Sequence, residues 1–294
     1  MRVLVTGATG FIGRAVLEIL ETHDVETICV GRTRPVSDCE FHAMDLLECR
    51  EFKSTFRELR PTHLLHLAWY TKHGQFWASP DNLRWVDATI RMTEAFCEAG
   101  GQHIVAAGTC AEYDLSYGYC REDLTPPSPE SLYGTAKDAT RRLVSKTCAD
   151  KGVSCAWGRV FFPYGEGEPS TKLIPQVVRV LSGRSDALEV NGHHFRDFLH
   201  IDDVARGFWA LLQQEATGVY NVSSGEPVSI AAVVKELGRL MQSDAHRVQM
   251  RKQGEDCGPH LICGDNRKLR ELGWRPTLPL QSGLQKTLAD LNLH

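Results

Sequence analysis

The chain has 294 residues, with 33 lysines and arginines against 37 aspartates and glutamates, for a formal charge of −4. Its 42% hydrophobic and 24% charged residues match an ordinary soluble globular protein and exclude disorder as a global description. The slight acidity lacks the positive field needed to bind DNA, RNA or an anionic membrane nonspecifically, so no nucleic-acid or membrane partner is expected. The length exceeds the roughly 100–200 residues of one domain, which leaves open one large domain or two lobes sharing a core.

Strands are predicted at Arg2 to Thr6, Glu26 to Val30, His63 to Leu67 and His103 to Ala107, and helices between them at Phe11 to Glu21, Leu47 to Leu59 and Asn82 to Ala99. In the last helix Leu83, Val86, Ile90, Thr93 and Phe96 recur on about a 3.6-residue period. Short continuous apolar runs such as Val3 to Val5 and Leu64 to Leu67 suit strands covered by helices on both faces. A parallel, doubly wound α/β sheet is therefore expected. Pro126, Pro127 and Pro129 mark a loop feeding a helix from Ser131, and a strand follows from Val153 to Val160. After the Gly- and Pro-rich stretch Phe161 to Ser170, helices are predicted at Leu173 to Leu181, Asp202 to Gln213, Ile230 to Met241 and Leu278 to Leu291, separated by short strands. Ten scattered cysteines form no Cys-x-x-Cys pair, so a zinc ribbon is not expected. With Met1 and Arg2 leading straight into the first strand and no apolar run near 18 residues, the setting expected is cytoplasmic, with reduced thiols.

The sharpest motif is GATGFIG, in which Gly7, Thr9, Gly10, Phe11, Ile12 and Gly13 lie between the first strand and the first helix. Glycines here permit a tight turn and close approach of backbone to a pyrophosphate, which the free N–H groups of the helix terminus then hold. A Rossmann-type dinucleotide site is expected over residues 1–160, with 161–294 forming mainly a smaller mixed α/β substrate lobe, some segments of which return to the cofactor lobe. At the end of the second strand stand Arg32, Thr33 and Arg34 rather than a carboxylate. Two guanidiniums suit a ribose 2′-phosphate, so NADP(H) is favoured over NAD(H), unless both are solvated loop charges. Tyr133 and Lys137 fall four residues apart on one helical face, where an ammonium stabilises a phenolate, although such a pair is often only a surface contact.

Taken in order, these motifs resemble those of the extended short-chain dehydrogenase/reductase family, in its nucleotide-sugar epimerase, dehydratase and reductase branch. The resemblance rests also on Asp45 and Leu46, His66 to Ala68, Thr109 before Tyr113, YGTAK at 133–137, RDFLHIDDVA at 196–205, YNVSSGE at 220–226 and LGWRP at 272–276. It implies that Thr109 hydrogen-bonds the reacting oxygen, that Tyr133 is the acid or base, and that Lys137 binds the nicotinamide ribose and lowers the tyrosine pKa. It places Asp45 and Leu46 beside the adenine, Leu67 and Ala68 along the cofactor, and Lys172, Leu173, Arg196, Arg251 and Lys252 at the substrate nucleotide. Arg196 has the alternative of a structural ion pair with Asp197 or Asp202. The resemblance also implies a homodimer through the helices at 82–99 and 131–149.

Two departures narrow the reaction. The dehydratases of this family place Asp and Glu directly after the threonine, whereas here Cys110 and Ala111 follow, which disfavours dehydration unless Glu112 substitutes. An asparagine common two residues before the family's Tyr-Gly is Phe162. The aromatic loop Trp69, Tyr70, His73, Phe76 and Trp77 follows the fourth strand at the carboxyl end, where ligands bind in such sheets. Trp69 and His73 are expected to wall the sugar pocket, the alternative being a loop that merely covers core. His193 and His194 lack a third ligand at suitable spacing, so no metal is assigned. The expected activity is NADPH-dependent reduction of a nucleotide-linked 4-keto-6-deoxysugar, with an NAD(P)-dependent nucleotide-sugar epimerase as the rival. A cofactor-binding protein that has kept the fold without turnover is the third possibility.

Overall fold

A computed structural model describes residues 1–252 and 258–290. Gly254, Cys257 and the predicted helix end at Leu291 lie outside the described residues. The first half runs β1 (Arg2–Thr6), α1 (Phe11–Glu21), β2 (Glu26–Gly31), β3 (Glu40–Ala43), α2 (Phe52–Leu59), β4 (His63–His66), α3 (Asp81–Glu98), β5 (His103–Thr109), β6 (Tyr119–Cys120), α4 (Leu132–Lys151) and β7 (Ser154–Val160). It continues through β8 (Phe162–Tyr164), α5 (Leu173–Leu181), β9 (Leu188–Val190), β10 (Phe195–Arg196), β11 (Phe198–His200), α6 (Ile201–Gln213) and β12 (Gly218–Val222). The remaining elements are β13 (Val228–Ser229), α7 (Ile230–Leu240), β14 (Val248–Met250), β15 (Leu261–Gly264), α8 (Arg267–Glu271) and α9 (Leu280–Asp290).

The main sheet is parallel throughout, in the order β3-β2-β1-β4-β5-β7-β12. Successive side chains of a strand point to opposite faces, so β1 supplies two cores at once. Val3 and Val5 pack with Val16, Leu20, Phe208 and Leu211 of α1 and α6. Leu4 packs with Phe56, Met92, Phe96 and Val144 of α2, α3 and α4. Each large side chain fully buried in this way contributes about 1.5–3 kcal/mol. Strand order reverses between β1 and β4, which opens a crevice at their carboxyl ends.

A second, mixed sheet has the order β13-β10-β15-β6, beside the two-stranded pairs β11-β8 and β14-β9. A third core joins α5, α7 and α9 through Val177, Val234, Leu237 and Leu284. The later chain returns to the main sheet at β12, and β6 from the earlier chain joins the second sheet. No helix among the described residues is long and apolar enough to cross a membrane.

Two expectations need correction, and one strand gains its bounds. Helix α2 starts at Phe52, not Leu47, because Asp45 accepts from Leu47 N at 3.0 Å and closes a turn with Cys49, whose N–H donates to the Asp45 carbonyl at 2.9 Å. Strand β3, for which the sequence offered no bounds, is a four-residue edge strand whose side chains are only partly covered. On α3 the buried face is Ala88, Thr89, Met92, Thr93, Ala95 and Phe96, while Leu83 is 59% exposed.

Candidate active site

The glycine turn is shaped by contact as well as by conformation. Gly7 has φ +74°, and a Cβ on it would lie 2.6 Å from Ala68 N. A Cβ on Gly13 would lie 2.1 Å from the Gly7 carbonyl oxygen. No side chain caps the start of α1, so its first N–H groups face the crevice with the partial positive charge of the helix end. This cradle fits the pyrophosphate of a dinucleotide. It forms one end of a cavity of about 1390 Å³ that also takes in Arg32, Thr33, Asp45, Leu46, Leu67 and Ala68. Arg34 is not among the lining residues; its guanidinium lies 5.6 Å from the Phe41 ring centroid.

Thr109, Tyr133 and Lys137 line the same cavity. Ser131 caps α4 by accepting from Gly134 N at 3.1 Å, which fixes the first turn of the helix and with it Tyr133. Burial pushes the Tyr133 phenol above its ordinary range, and its hydrogen bond with Thr109 works in the opposite direction. Burial likewise lowers the Lys137 ammonium to about 7. That ammonium donates to the Ala107 carbonyl at 2.9 Å and sits 3.9 Å from the Trp69 ring centroid, a cation–π contact. His66 is held neutral by burial, lowered to about 3, and ties β4 to β1 and α3 through Thr6 at 2.7 Å and Thr89 at 3.0 Å.

Glu112 does not replace the carboxylates missing after Thr109. It is fully buried and accepts from Thr109 N at 2.8 Å, Trp157 Nε1 at 2.9 Å and Arg159 Nε at 2.7 Å. It is thus a structural anion that fixes the Thr109 loop and lies outside the cavity lining. Burial pushes the Cys110 thiol up to about 12, so it is no base at neutral pH.

The aromatic loop reaches Tyr133 itself. Phe76 and Trp77 meet its ring edge to face, with centroids 4.8 and 5.8 Å away, and Tyr133 N donates to the Trp77 carbonyl at 3.1 Å. Sequence reasoning missed Asn82, the buried clamp of this loop. Its side chain accepts from Trp69 Nε1 at 2.9 Å and donates to the carbonyls of Phe76 and Ser79 at 2.7 and 2.9 Å. An asparagine opening a helix carries no signal that its amide is turned inward.

Beyond Tyr133 the cavity is lined by His73, Phe162, Lys172, Leu173, Arg196 and Arg251. Arg196 forms neither of the suggested ion pairs: Asp197 accepts from Ser224, Gly225 and Gly264, and Asp202 pairs with Lys286. Its guanidinium instead donates to the Phe195 carbonyl at 2.8 Å and lies 5.6 Å from the Phe162 ring centroid, so an aromatic ring supports it. Arg251 pairs with Glu189 at 3.0 Å. Lys252 is exposed and is not among the lining residues. Two further lining residues that the sequence did not single out, Glu168 and Asn191, each carry a buried side-chain oxygen with no hydrogen-bond partner among the described residues.

Comparison with known proteins bears on this arrangement directly. A model of the NAD dependent epimerase/dehydratase family matches residues 3–223. The chain is 25% identical to a GDP-6-deoxy-D-mannose reductase of Pseudomonas aeruginosa, over 98% of this chain and 96% of that one. It is 24% identical to a UDP-glucose 4-epimerase of Streptomyces lividans, over 93% and 91%. Among solved structures, MoeE5 in complex with UDP-glucuronic acid and NAD matches with a TM-score of 0.86 at 25% identity, covering 99% of both chains. With its seven-stranded sheet, glycine cradle and matching length, the chain belongs to the NAD dependent epimerase/dehydratase family, in the nucleotide-sugar branch of the extended short-chain dehydrogenases/reductases.

Proposed function

We propose that the chain is a cytoplasmic, NADPH-dependent reductase of the 4-keto group of a nucleotide-linked 4-keto-6-deoxysugar. The observation that carries this reading is the acid–base complement around Thr109. Tyr133 is a buried phenol kept protonated at neutral pH, the two residues after Thr109 have no carboxylate, and Glu112 is turned into the protein. A protonated donor beside a hydroxyl suits delivery of a proton to a ketone oxygen.

Thr109 and Tyr133 would both hydrogen-bond the O4 carbonyl oxygen and draw electron density from C4. A bound nicotinamide cofactor would supply the hydride that turns the C4 ketone into a secondary alcohol. Tyr133 gives its proton to O4 as that oxygen gains charge, and the Lys137 ammonium stabilises the phenolate that remains. The aromatic residues Trp69, Phe76 and Trp77 exclude water on one side and suit a deoxygenated sugar carbon. Arg196 and Arg251 would take the substrate diphosphate. Arg32, lining the adenosine end where no carboxylate follows β2, favours the 2′-phosphate of NADP(H). A homodimer through α3 and α4 belongs to the same reading: these helices pack together, and each leaves a leucine outward, Leu83 and Leu143.

The test is NADPH oxidation against dTDP-, CDP-, GDP- and UDP-linked 4-keto-6-deoxysugars, with NMR of the product. Stoichiometric loss of NADPH with one of them supports the reductase, and a flat response to all four removes it. A second reading, a nucleotide-sugar 4-epimerase, is favoured by the likeness to the Streptomyces lividans enzyme. Interconversion of two sugars without net cofactor consumption would establish it instead.

A further inference from the structure

We propose that Glu168 is a sugar-recognition residue, whose carboxyl hydrogen-bonds a hydroxyl of the sugar in the nucleotide-linked substrate. The inference rests on the nucleotide-sugar reading above and adds a contact to it. Glu168 lies in the loop between β8 and α5, and two partners hold its backbone. Its N–H donates to the Gly165 carbonyl at 3.1 Å, and Arg14 from α1 donates to the Gly167 carbonyl at 3.1 Å. The loop is therefore braced against the helix that carries the cofactor cradle.

Within this braced loop the Glu168 carboxyl lines the same cavity as Thr109 and Tyr133, and its Oε2 is buried without a hydrogen-bond partner. A buried polar atom left unsatisfied costs about 1–3 kcal/mol, so a fold retains one where something else meets it. Lys172, four residues further on at the start of α5, lines the same cavity. The Lys172 ammonium lies 5.8 Å from the Phe76 ring centroid, and the Phe76 centroid is 4.8 Å from that of Tyr133. His73 and Cys110, the residue after Thr109, line the cavity with Lys172. Glu168 thus shares the cavity with Lys172, Phe76 and Tyr133.

The class of ligand group follows from charge. Burial raises the Glu168 carboxyl to about 8 against the opposing pull of Lys172, so at neutral pH it is mostly protonated and both donates and accepts. A hydroxyl has the same dual character, whereas a phosphate finds better partners in Arg196 and Arg251. Glu168 therefore reads hydroxyls beside an aromatic wall that suits deoxygenated carbon.

The test is calorimetric binding to protein saturated with NADPH, using UDP-, dTDP-, GDP- and CDP-glucose, each paired with its nucleoside diphosphate. For the tightest pair, Glu168→Leu should weaken the nucleotide sugar by about tenfold, the value of one good hydrogen bond, and the bare diphosphate by less than about twofold. Glu168→Gln, which keeps a donor and an acceptor, should restore most of the loss, and thermal melts of both variants check the fold. Equal loss for sugar and diphosphate, or no loss, overturns the assignment while leaving the nucleotide-sugar reading intact. Wild-type protein that binds the diphosphates but gains nothing from any attached sugar overturns both.

Discussion

Removing the Trp69 indole probes the electrostatics of the site most cleanly. The Lys137 ammonium is buried; it donates to the Ala107 carbonyl at 2.9 Å, the Trp69 indole face lies 3.9 Å away, and the Trp157 ring is more distant at 5.9 Å. A desolvated cation–π contact is worth about 2 kcal/mol. At about 1.4 kcal/mol per pKa unit, Trp69→Leu should lower Lys137 by about one unit or slightly more below its starting value. That starting value is itself pulled down to about 7 by burial. In protein labelled with 13C at lysine Cε, one resonance should titrate near neutrality and vanish in Lys137→Met. In Trp69→Leu it should titrate about one unit lower, and in Trp69→Phe, which keeps a ring, closer to wild type. A resonance that does not move in the leucine variant would show that the indole is only packing. If no lysine titrates below pH 9, burial does not govern this site.

Three more outcomes follow from the structure. Gly13→Ala sets a Cβ 2.1 Å from the Gly7 carbonyl oxygen, so the cradle must shift; titration should show NADPH affinity lower by at least about tenfold, about 1.4 kcal/mol. Glu112→Ala leaves Arg159, whose side chain is 3% exposed, without its closest anion, and urea unfolding should show a loss of about 3–5 kcal/mol. A loss under about 1 kcal/mol would contradict the structural role given to this carboxylate. Glu168 is raised from 4.5 to about 8, so between those values the folded state binds more protons than the unfolded chain. This group therefore favours folding below about pH 4.5, and its contribution is lost as pH rises to about 8. Glu168→Gln should flatten that fall in melting temperature, and an unchanged slope would place the carboxyl in water.

The parts of this molecule that were legible in the sequence are those where local chemistry and tertiary demand agree. β1, the glycine turn and α1 coincide with their predicted bounds because an apolar run, a turn that requires glycine and an amphipathic helix each specify themselves. Tyr133 and Lys137 were found because four-residue spacing fixes one helical face. The misses arise where a side chain's direction depends on distant residues. Thr93 and Phe96 of the predicted stripe are buried, but Leu83 and Ile90 are not, and the sheet and α4 cover the neighbouring Thr89, Met92 and Ala95 instead. Periodicity identifies a helix but does not say which face is covered when both carry apolar residues. Arg34 and Lys252 share the charge of Arg32 and Arg251, which line the cavity, yet two residue steps in one case and one in the other turn them away from it. Glu168 sits in a Gly- and Pro-rich loop where a glutamate ordinarily reads as solvated. Only the pinning of that loop to α1 and its closeness to Lys172 bring the carboxyl into the cavity.

The central claim is that Tyr133 protonates a ketone oxygen while hydride reaches the same carbonyl from NADPH. The most direct measurement is a single turnover with NADPH deuterated at the nicotinamide C4, in both stereochemical forms, followed by NMR of the sugar product. The account predicts that one form places one deuterium at sugar C4, with one NADPH consumed for each product, and that Tyr133→Phe abolishes this transfer while still binding NADPH. A product without deuterium at C4 from either form, or full transfer by Tyr133→Phe, would contradict it.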